Sequence, residues 1–196
     1  MTTIALIGSH GTGKTTVFEE LKKRKPDYKY FSSSVRHMMP ILGYKNAWEL
    51  TEKMGAGQFE LMNMNSWAVI DPKQNTQLKM GDTVITDRSA VDCSAYYLTL
   101  RDKAADYELC DVLKKIAKHY ASLVTSFIYF PAGVFPLKGD EIRPNDERLQ
   151  KKVDLNIPRA LHWLDVPEKR LYHLRSATVE DRVEEVLGFV SRCSSK

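Results

Sequence analysis

The stretch Gly8-Ser9-His10-Gly11-Thr12-Gly13-Lys14-Thr15 matches the pattern G-x-x-x-x-G-K-S/T along its whole length. In this pattern the glycines allow backbone N–H groups to turn inward around phosphate oxygens. The apolar run 4–7 precedes the stretch as a buried strand would, and residues 14–24 follow it with the spacing of an amphipathic helix. A strand, a glycine-rich turn and a helix in this order predict the opening of an α/β domain with a phosphate-binding site.

The side chains of this loop predict a site for ATP or a close relative. We expect Lys14 to reach the β- and γ-phosphates and to be catalytic, and we expect the Thr15 hydroxyl to bind Mg²⁺. The positive end of the following helix adds to the attraction for phosphate. The alternative interpretation is an ordinary glycine turn in which Lys14 is a solvated charge. The residues expected to hold the nucleotide are Gly8, His10, Gly11, Thr12, Gly13, Lys14, Thr15 and Thr16.

A second polar element, Asp87-Arg88-Ser89, follows Val84-Ile85-Thr86 at the end of a predicted buried strand. Ligands of open α/β sheets collect at the carboxyl ends of the strands. We therefore expect Asp87 to bind Mg²⁺ through water or to accept a proton from an attacking hydroxyl; its alternative role is to cap the next helix. Arg88 can bind a phosphate with its guanidinium fork, and the alternative for it is a surface salt bridge.

Strands and helices alternate along the rest of the chain. Further strands are predicted at 28–31, 83–86, 126–130 and 170–174, and helices at 47–70, 94–100 and 106–120, from about 146 onward, and from 178 to about 192. Gly55 and Gly57 break the first of these helices, and Pro158 kinks or splits the helix that starts near 146. The pattern predicts one domain over residues 1–196, with an α/β fold of the P-loop NTPase three-layer type. Its sheet is mostly parallel and carries helices on both faces.

The composition argues against several classes of protein. The chain has 196 residues, of which 43% are hydrophobic and 28% charged, and this balance disfavours disorder and coiled coil. No apolar stretch approaches the roughly 18 residues that span a membrane. The N-terminus has no signal-peptide pattern, so we expect no membrane partner and a cytoplasmic location. Three scattered cysteines predict neither disulfides nor a zinc site, and the net charge of +4 mildly favours an anionic partner.

The two polar elements together resemble those of the P-loop nucleoside and nucleotide kinases. Residues 87–96, Asp-Arg-Ser-Ala-Val-Asp-Cys-Ser-Ala-Tyr, are similar to the thymidylate-kinase signature, in which Asp-Arg and an aromatic residue precede Ser and then Ala-Tyr. Ser89 stands in place of the aromatic residue, and Asp-Arg-Ser is closer to the deoxynucleoside-kinase version. The phosphate loop also resembles that of the phage-type AAA-domain ATPase group. This group includes the nicotinamide-riboside kinase domain and kinases that phosphorylate 5-hydroxymethyluracil already in DNA.

The resemblance implies an ATP- and Mg²⁺-dependent phosphotransferase, located in the host cytoplasm if it is phage-encoded. It also implies a mobile lid at about 132–150, with the catalytic arginines Arg143 and Arg148; the alternative is a solvated loop of mixed charge. The segment 132–145 is polar and contains Gly and Pro, so we expect it to order when nucleotide binds. By the same resemblance, residues 176–178 border the adenine.

The acceptor pocket is expected between the phosphate loop and Asp87. Arg36 can bind an acceptor phosphate or a base, or it can be an ordinary charge at a helix start. Tyr96 can contact a base, although aromatic core packing is the alternative for it. The residues expected to bind the acceptor are Ser33, Arg36, Gln58, Arg88 and Tyr96.

Three functions remain open at this point. The first is a kinase for a free nucleoside or nucleotide, with a pyrimidine deoxynucleoside or deoxynucleotide favoured. The second is a kinase for a modified nucleoside within DNA, which needs a basic groove with stacking aromatic residues, such as Trp48, Trp67 and the pair Arg36-His37. The third is an ATPase with no small acceptor. A GTPase is disfavoured because the chain lacks N-K-x-D, and a homodimer is left open.

Overall fold

Five parallel strands form the centre of the molecule in a computed structural model that describes residues 1–32, 43, 49, 55–100, 107–136 and 146–194. The strands lie in the order β2-β3-β1-β4-β5. Their bounds are β1 Thr2–Ile7, β2 Lys29–Ser32, β3 Thr83–Asp87, β4 Ser126–Tyr129 and β5 Leu171–His173. All five predicted strands are therefore confirmed, and so is the parallel sheet.

Helices cover both faces of this sheet. One face carries α2 (Ala56–Asn65), a 3₁₀ helix (Ser66–Ile70), α3 (Ala90–Leu100), α4 (Tyr107–Leu123) and α5 (Glu147–Trp163). The other face carries α1 (Lys14–Arg24) and α6 (Val179–Ser194). This arrangement confirms the three-layer α/β fold. Among the described residues, no helix has both the length and the apolar character needed to cross a membrane.

The apolar runs of the strands exist because both faces of the sheet are buried. Along β1, Ala5 and Ile7 pack with α2 to α5, whereas Ile4 and Leu6 pack with α1 and α6. All four side chains are fully buried. A strand with two covered faces needs apolar residues at successive positions rather than at alternate ones, which is the pattern that predicted these strands. Each large aliphatic side chain buried in this way contributes about 2 kcal/mol to folding.

The strand order places the phosphate loop at a topological switch point. The chain passes from β1 to β2 and β3 on one side, and then to β4 and β5 on the other side of β1. Leu6 near the end of β1 lies in register with Asp87 at the end of β3. Because ligands of doubly wound sheets bind where the strand order reverses, the loop after Ile7 and the loop after Asp87 share one binding edge.

Helices α3 and α5 differ from the pattern that the sequence predicts. Helix α3 begins at Ala90, four residues before the predicted start at 94. The cause is a capping box, in which the Ser89 hydroxyl accepts from the Val91 N–H (3.1 Å) and the Asp92 carboxylate accepts from the Ser89 N–H (2.8 Å). Pro158 does not split α5, which continues to Trp163. Pro158 is exposed, and buried side chains on both sides of it, Val153, Ile157 and Leu161, hold the two halves of the helix on the core.

Candidate active site

The phosphate loop takes a shape that only glycine allows at two positions. Gly8 has φ 144°, and a Cβ atom there would lie 2.4 Å from the carbonyl oxygen of Phe130. Gly13 has φ 84° and is the N-cap of α1. The left-handed conformation of Gly13 leads the chain directly into α1, whose first N–H groups face the loop. The loop therefore presents backbone donors at the positive end of a helix, which is a general anion site.

Lys14 is held inside this loop rather than in solvent. Its side chain is buried, and its ammonium group donates to the carbonyl oxygens of Gly8 (2.8 Å) and Ser9 (2.5 Å) and to the Thr12 hydroxyl (3.0 Å). These partners carry only partial charges. A phosphate group would be a stronger partner for a buried ammonium, because both partners would then be fully charged.

The Thr15 hydroxyl donates to Asp87 Oδ2 at 2.7 Å, which joins the start of α1 to the end of β3. The other oxygen of this carboxylate, Asp87 Oδ1, is buried and has no hydrogen-bond partner among the described residues. A hydroxyl and a carboxylate with an unused oxygen are the hard ligands that Mg²⁺ prefers in nucleotide sites. The described residues contain no group of three or more His, Cys, Asp or Glu that could hold a metal by themselves. The pair therefore fits a cation that is shared with phosphate.

Arg88, Tyr96 and His10 come together beside the phosphate loop. The Arg88 guanidinium lies 5.5 Å from the centre of the Tyr96 ring, and the Tyr96 hydroxyl is 2.9 Å from His10 Nδ1. Burial alone would lower the pKa of Arg88, but Tyr96, Asp92 and Asp87 outweigh burial and raise it, so the side chain stays charged. Arg88 also has φ 85°, a costly backbone conformation for a residue other than glycine, and such conformations cluster at functional sites.

Asp92 is a buried residue that sequence reasoning missed. Its Oδ1 accepts from the Gly8 N–H at 2.9 Å, and its Oδ2 accepts from the Ser89 N–H, so it ties the two loops together. Burial raises the pKa of Asp92, although Lys14, Arg88 and the two N–H groups act in the opposite direction. The spacing Ser89-x-x-Asp92 matches a capping box and was the available signal in the sequence.

Arg182 on α6 is a second residue that the sequence did not point to. Its side chain is fully buried, and it donates from Nη1 to the Thr12 carbonyl (2.7 Å) and from Nε to the Ser176 carbonyl (2.8 Å). Its guanidinium also lies 4.6 Å from the centre of the Phe135 ring, which in turn closes the space next to Gly13. Arg182 thus links the phosphate loop to the loop that precedes α6.

We expect Arg182→Met to destabilise the protein by about 3 kcal/mol, because the buried Thr12 carbonyl and the partly buried Ser176 carbonyl lose their donor. The midpoint of thermal unfolding should fall by about 6–12 °C. The matched control is Arg192→Met on the same helix, where the arginine is exposed and packs on Phe189. Equal unfolding temperatures for the two variants would show that Arg182 does not hold the loops together.

A family described as an AAA domain matches residues 3–182 of the chain. The chain belongs to this AAA-domain family. No sequence among the curated proteins matches it. The expected resemblance to P-loop nucleoside and nucleotide kinases is confirmed at the level of the fold by solved structures that are similar to this AAA domain.

Three of these solved structures show how similar their folds are to the fold of this chain. NadR protein in complex with NAD and AMP-PNP has a TM-score of 0.68 at 13% identity, covering 97% of this chain and 49% of its own. NadR protein in complex with NR has a TM-score of 0.73 at 14% identity, covering 100% of this chain and 50% of its own. Deoxyadenosine kinase from M. mycoides with bound dATP has a TM-score of 0.66 at 16% identity, covering 97% of this chain and 100% of its own. The AAA domain thus spans about half the length of the NadR chains.

The remaining predicted residues of the AAA domain are placed as follows. Gly11 and Thr16 are exposed on the phosphate loop and α1, and Arg148 is exposed on the first turn of α5. Trp67 is buried in the core and cannot stack on a nucleic acid. Gln58 lies in α2, but its side chain is outside the described residues. Also outside them are Ser33, Arg36, His37, Trp48, Arg143 and the part of the expected lid from 137 to 145.

The AAA domain also buries a carboxyl group behind Arg88. Glu60 on α2 accepts from Asn63 Nδ2 at 3.2 Å and has Cys93, Arg88 and Asp92 around it. Burial raises the pKa of Glu60 to about 8, against the smaller opposing effects of Asn63, Cys93 and Arg88. At neutral pH the folded protein therefore keeps a proton on Glu60, whereas the unfolded chain releases it.

This difference predicts that Glu60 makes the protein less stable as the pH rises. The pKa is raised in the folded state, so the unfolded chain binds fewer protons from about pH 4.5 to about pH 8, and stability falls across this window. The unfolding temperature of Glu60→Gln minus that of wild type should therefore increase between pH 5 and pH 8, by roughly 7–14 °C. The control is the exposed Glu19→Gln. A pH-independent difference between Glu60→Gln and wild type would contradict the prediction.

Proposed function

We propose that the protein is an ATP-dependent kinase that transfers the γ-phosphate to a nucleoside or nucleotide. The observation that carries the proposal is the hydrogen bond from Thr15 to Asp87 beside the buried Lys14. This hydrogen bond joins the complete phosphate-loop stretch to the Asp-Arg element at the end of the neighbouring strand, β3. The Asp-Arg-Ser sequence favours a pyrimidine deoxynucleoside or deoxynucleotide as the acceptor.

Different residues of the chain bind the phosphates of ATP and the Mg²⁺ ion. Backbone N–H groups of the loop and Lys14 hold the phosphates, and Lys14 exchanges its carbonyl partners for phosphate oxygens when the nucleotide enters. Thr15 and Asp87 are the residues that would hold Mg²⁺, which supplies charge neutralisation on the phosphates when it is bound. Two similar structures hold adenine nucleotides, NadR protein with AMP-PNP and deoxyadenosine kinase with dATP, which supports an adenine nucleotide as the donor.

Asp87 and Arg88 contribute differently to a reaction with a hydroxyl acceptor and to one with a monophosphate acceptor. A hydroxyl acceptor must lose its proton as its oxygen forms the new P–O bond and ADP leaves, and Asp87 Oδ1 is the unused carboxylate oxygen that can take the proton. Asp92 is less suited to this role, because each of its oxygens already accepts a backbone N–H group. A monophosphate acceptor is already deprotonated, so it needs no base. It needs the Arg88 guanidinium to hold its attacking oxygen in line with the γ-phosphate.

The experiment that tests the proposal is transfer of labelled γ-phosphate from ATP to a panel of acceptors in the presence of Mg²⁺. The panel contains nucleosides, nucleoside monophosphates and oligonucleotides, with modified pyrimidines among each kind. We expect a labelled product with at least one of them. ATP hydrolysis with no labelled acceptor in the whole panel would contradict the proposal and would favour an ATPase.

A further inference from the structure

Glu60 on α2 is a buried carboxyl group to which the proposed site gives no role. The residue is 1% exposed, and its side chain accepts from Asn63 Nδ2 at 3.2 Å and from the Cys93 thiol. Both partners are neutral groups. Ionising a carboxyl group in such a place is costly, because burial takes the charge out of water and neutral partners offset only part of that loss.

The groups around Glu60 come from each element that packs on α2. Helix α3 and the loop before it place Arg88, Asp92 and Cys93 around the carboxyl group. The 3₁₀ helix contributes Trp67, which lies beside Cys93. Helix α4 also packs on α2, and its buried side chains are these: Leu113, Ala117, Ala121 and Tyr120, the last beside Asp71. Of all these groups only Arg88 is a cation, so an ionised Glu60 would have Arg88 as its charged partner.

The charges between the phosphate loop and Arg88 balance without Glu60. They are two cations and two carboxylates: Lys14, Arg88, Asp87 and Asp92. An ionised Glu60 would add a third carboxylate to a buried cluster that has two cations. The charge of Arg88 would then act on one more anion, and less of it would remain for the phosphate of an acceptor.

Of the two buried carboxyl groups Glu60 and Asp92, Glu60 is the one that holds a proton. Each oxygen of Asp92 accepts a backbone N–H, and the charges of Lys14 and Arg88 also favour its ionised form. Glu60 has neutral partners instead, and burial raises its pKa to about 8. At neutral pH the group that α2 places beside Arg88 is therefore uncharged.

We propose that Glu60 is a positioning residue for the acceptor, and that its proton keeps the charge of Arg88 available to the acceptor phosphate. The inference rests on the proposed kinase function and deepens it, because it couples acceptor binding to one proton. When Glu60 releases this proton to solvent, its carboxylate attracts the Arg88 guanidinium and repels the phosphate. Conversely, a phosphate on Arg88 favours the protonated Glu60, so the complex takes the proton back from solvent.

The binding of dTMP, a pyrimidine deoxynucleotide of the favoured class, tests this coupling by calorimetry. AMP-PNP and Mg²⁺ are present throughout, so that the phosphate loop is filled. The affinity of wild type for dTMP should fall by about five- to tenfold from pH 7 to pH 9, because the added proton must be taken from a more alkaline solution. The phosphate of dTMP keeps a constant charge over this range. Thymidine has no phosphate, so its affinity should change by less than about twofold.

Glu60→Gln separates this role from a merely structural one. Glutamine fills nearly the same volume and stays neutral at every pH, so the affinity of this variant for dTMP should change by less than about twofold from pH 7 to pH 9. A structural role alone would shift the affinity equally at both pH values. The control is Glu19→Gln on α1, an exposed position, which should keep the pH dependence of wild type.

Proton uptake by wild type tests the coupling without any variant. At pH 8 Glu60 is half ionised before dTMP binds, so binding should take up about half a proton, measured from the heats in two buffers of different ionisation enthalpy. Absent dTMP binding, absent proton uptake, the same pH dependence for thymidine, or the same pH dependence in Glu60→Gln would overturn the proposal. The kinase function fails separately, through absent phosphoryl transfer to every acceptor in the panel.

Discussion

Lys14→Ala should abolish phosphoryl transfer, lowering kcat/KM by at least about 10³-fold. The variant removes the buried ammonium group at the start of α1, the group placed to neutralise charge on the β- and γ-phosphates as the bond to the transferred phosphate breaks. The fold should persist, because Lys14 is the first residue of α1, where alanine favours the helix, and its ammonium group bonds to carbonyls of the phosphate loop and to the Thr12 hydroxyl. The measurement is a steady-state assay with the best acceptor of the panel.

The control for this variant is Lys23→Ala, an exposed lysine on the same helix that pairs with Glu20. It should keep wild-type kinetics. Circular dichroism and thermal unfolding establish that both variants are folded. Full activity in a folded Lys14→Ala protein would remove the assignment of the phosphate loop as the ATP site.

Asp87→Asn should lower kcat by about 10²–10³-fold and raise the concentration of Mg²⁺ needed for half-maximal rate. Asparagine keeps the size of the side chain and an oxygen for the Thr15 hydroxyl, but it removes the charge that attracts the cation and the oxygen that can take a proton. The measurement is the rate as a function of Mg²⁺ concentration. The control, Asp111→Asn on the exposed side of α4, should follow the wild-type curve. A wild-type Mg²⁺ profile for Asp87→Asn would exclude Asp87 as the metal ligand.

The part of the site that sequence reasoning predicted is local or follows from the parallel sheet. The phosphate loop is a continuous stretch, so its glycines and Lys14 identify it without knowledge of the fold. Asp87 was predicted from its place after an apolar run, because parallel strands end at one edge. The register that pairs Leu6 with Asp87 brings the two loops within the 2.7 Å contact of Thr15 and Asp87.

The part that sequence reasoning missed depends on contacts between distant segments. Arg182 reaches the Thr12 carbonyl across 170 positions of sequence, and nothing in its neighbours distinguishes it from a surface arginine of an amphipathic helix. Asp92 has a local capping signal, but its bond to Gly8 depends on the packing of α3 against β1.

The measurement that tests the central claim most directly is the release of ADP from ATP and Mg²⁺, with and without the acceptor that is labelled in the panel. A kinase holds ATP without turning it over until the acceptor arrives, because water in the site is a poor substitute for a positioned nucleophile. We expect ADP release to be slow without the acceptor, to rise with acceptor concentration to a plateau, and to equal the phosphorylated product mole for mole. ADP release at the same rate with and without the acceptor would contradict it.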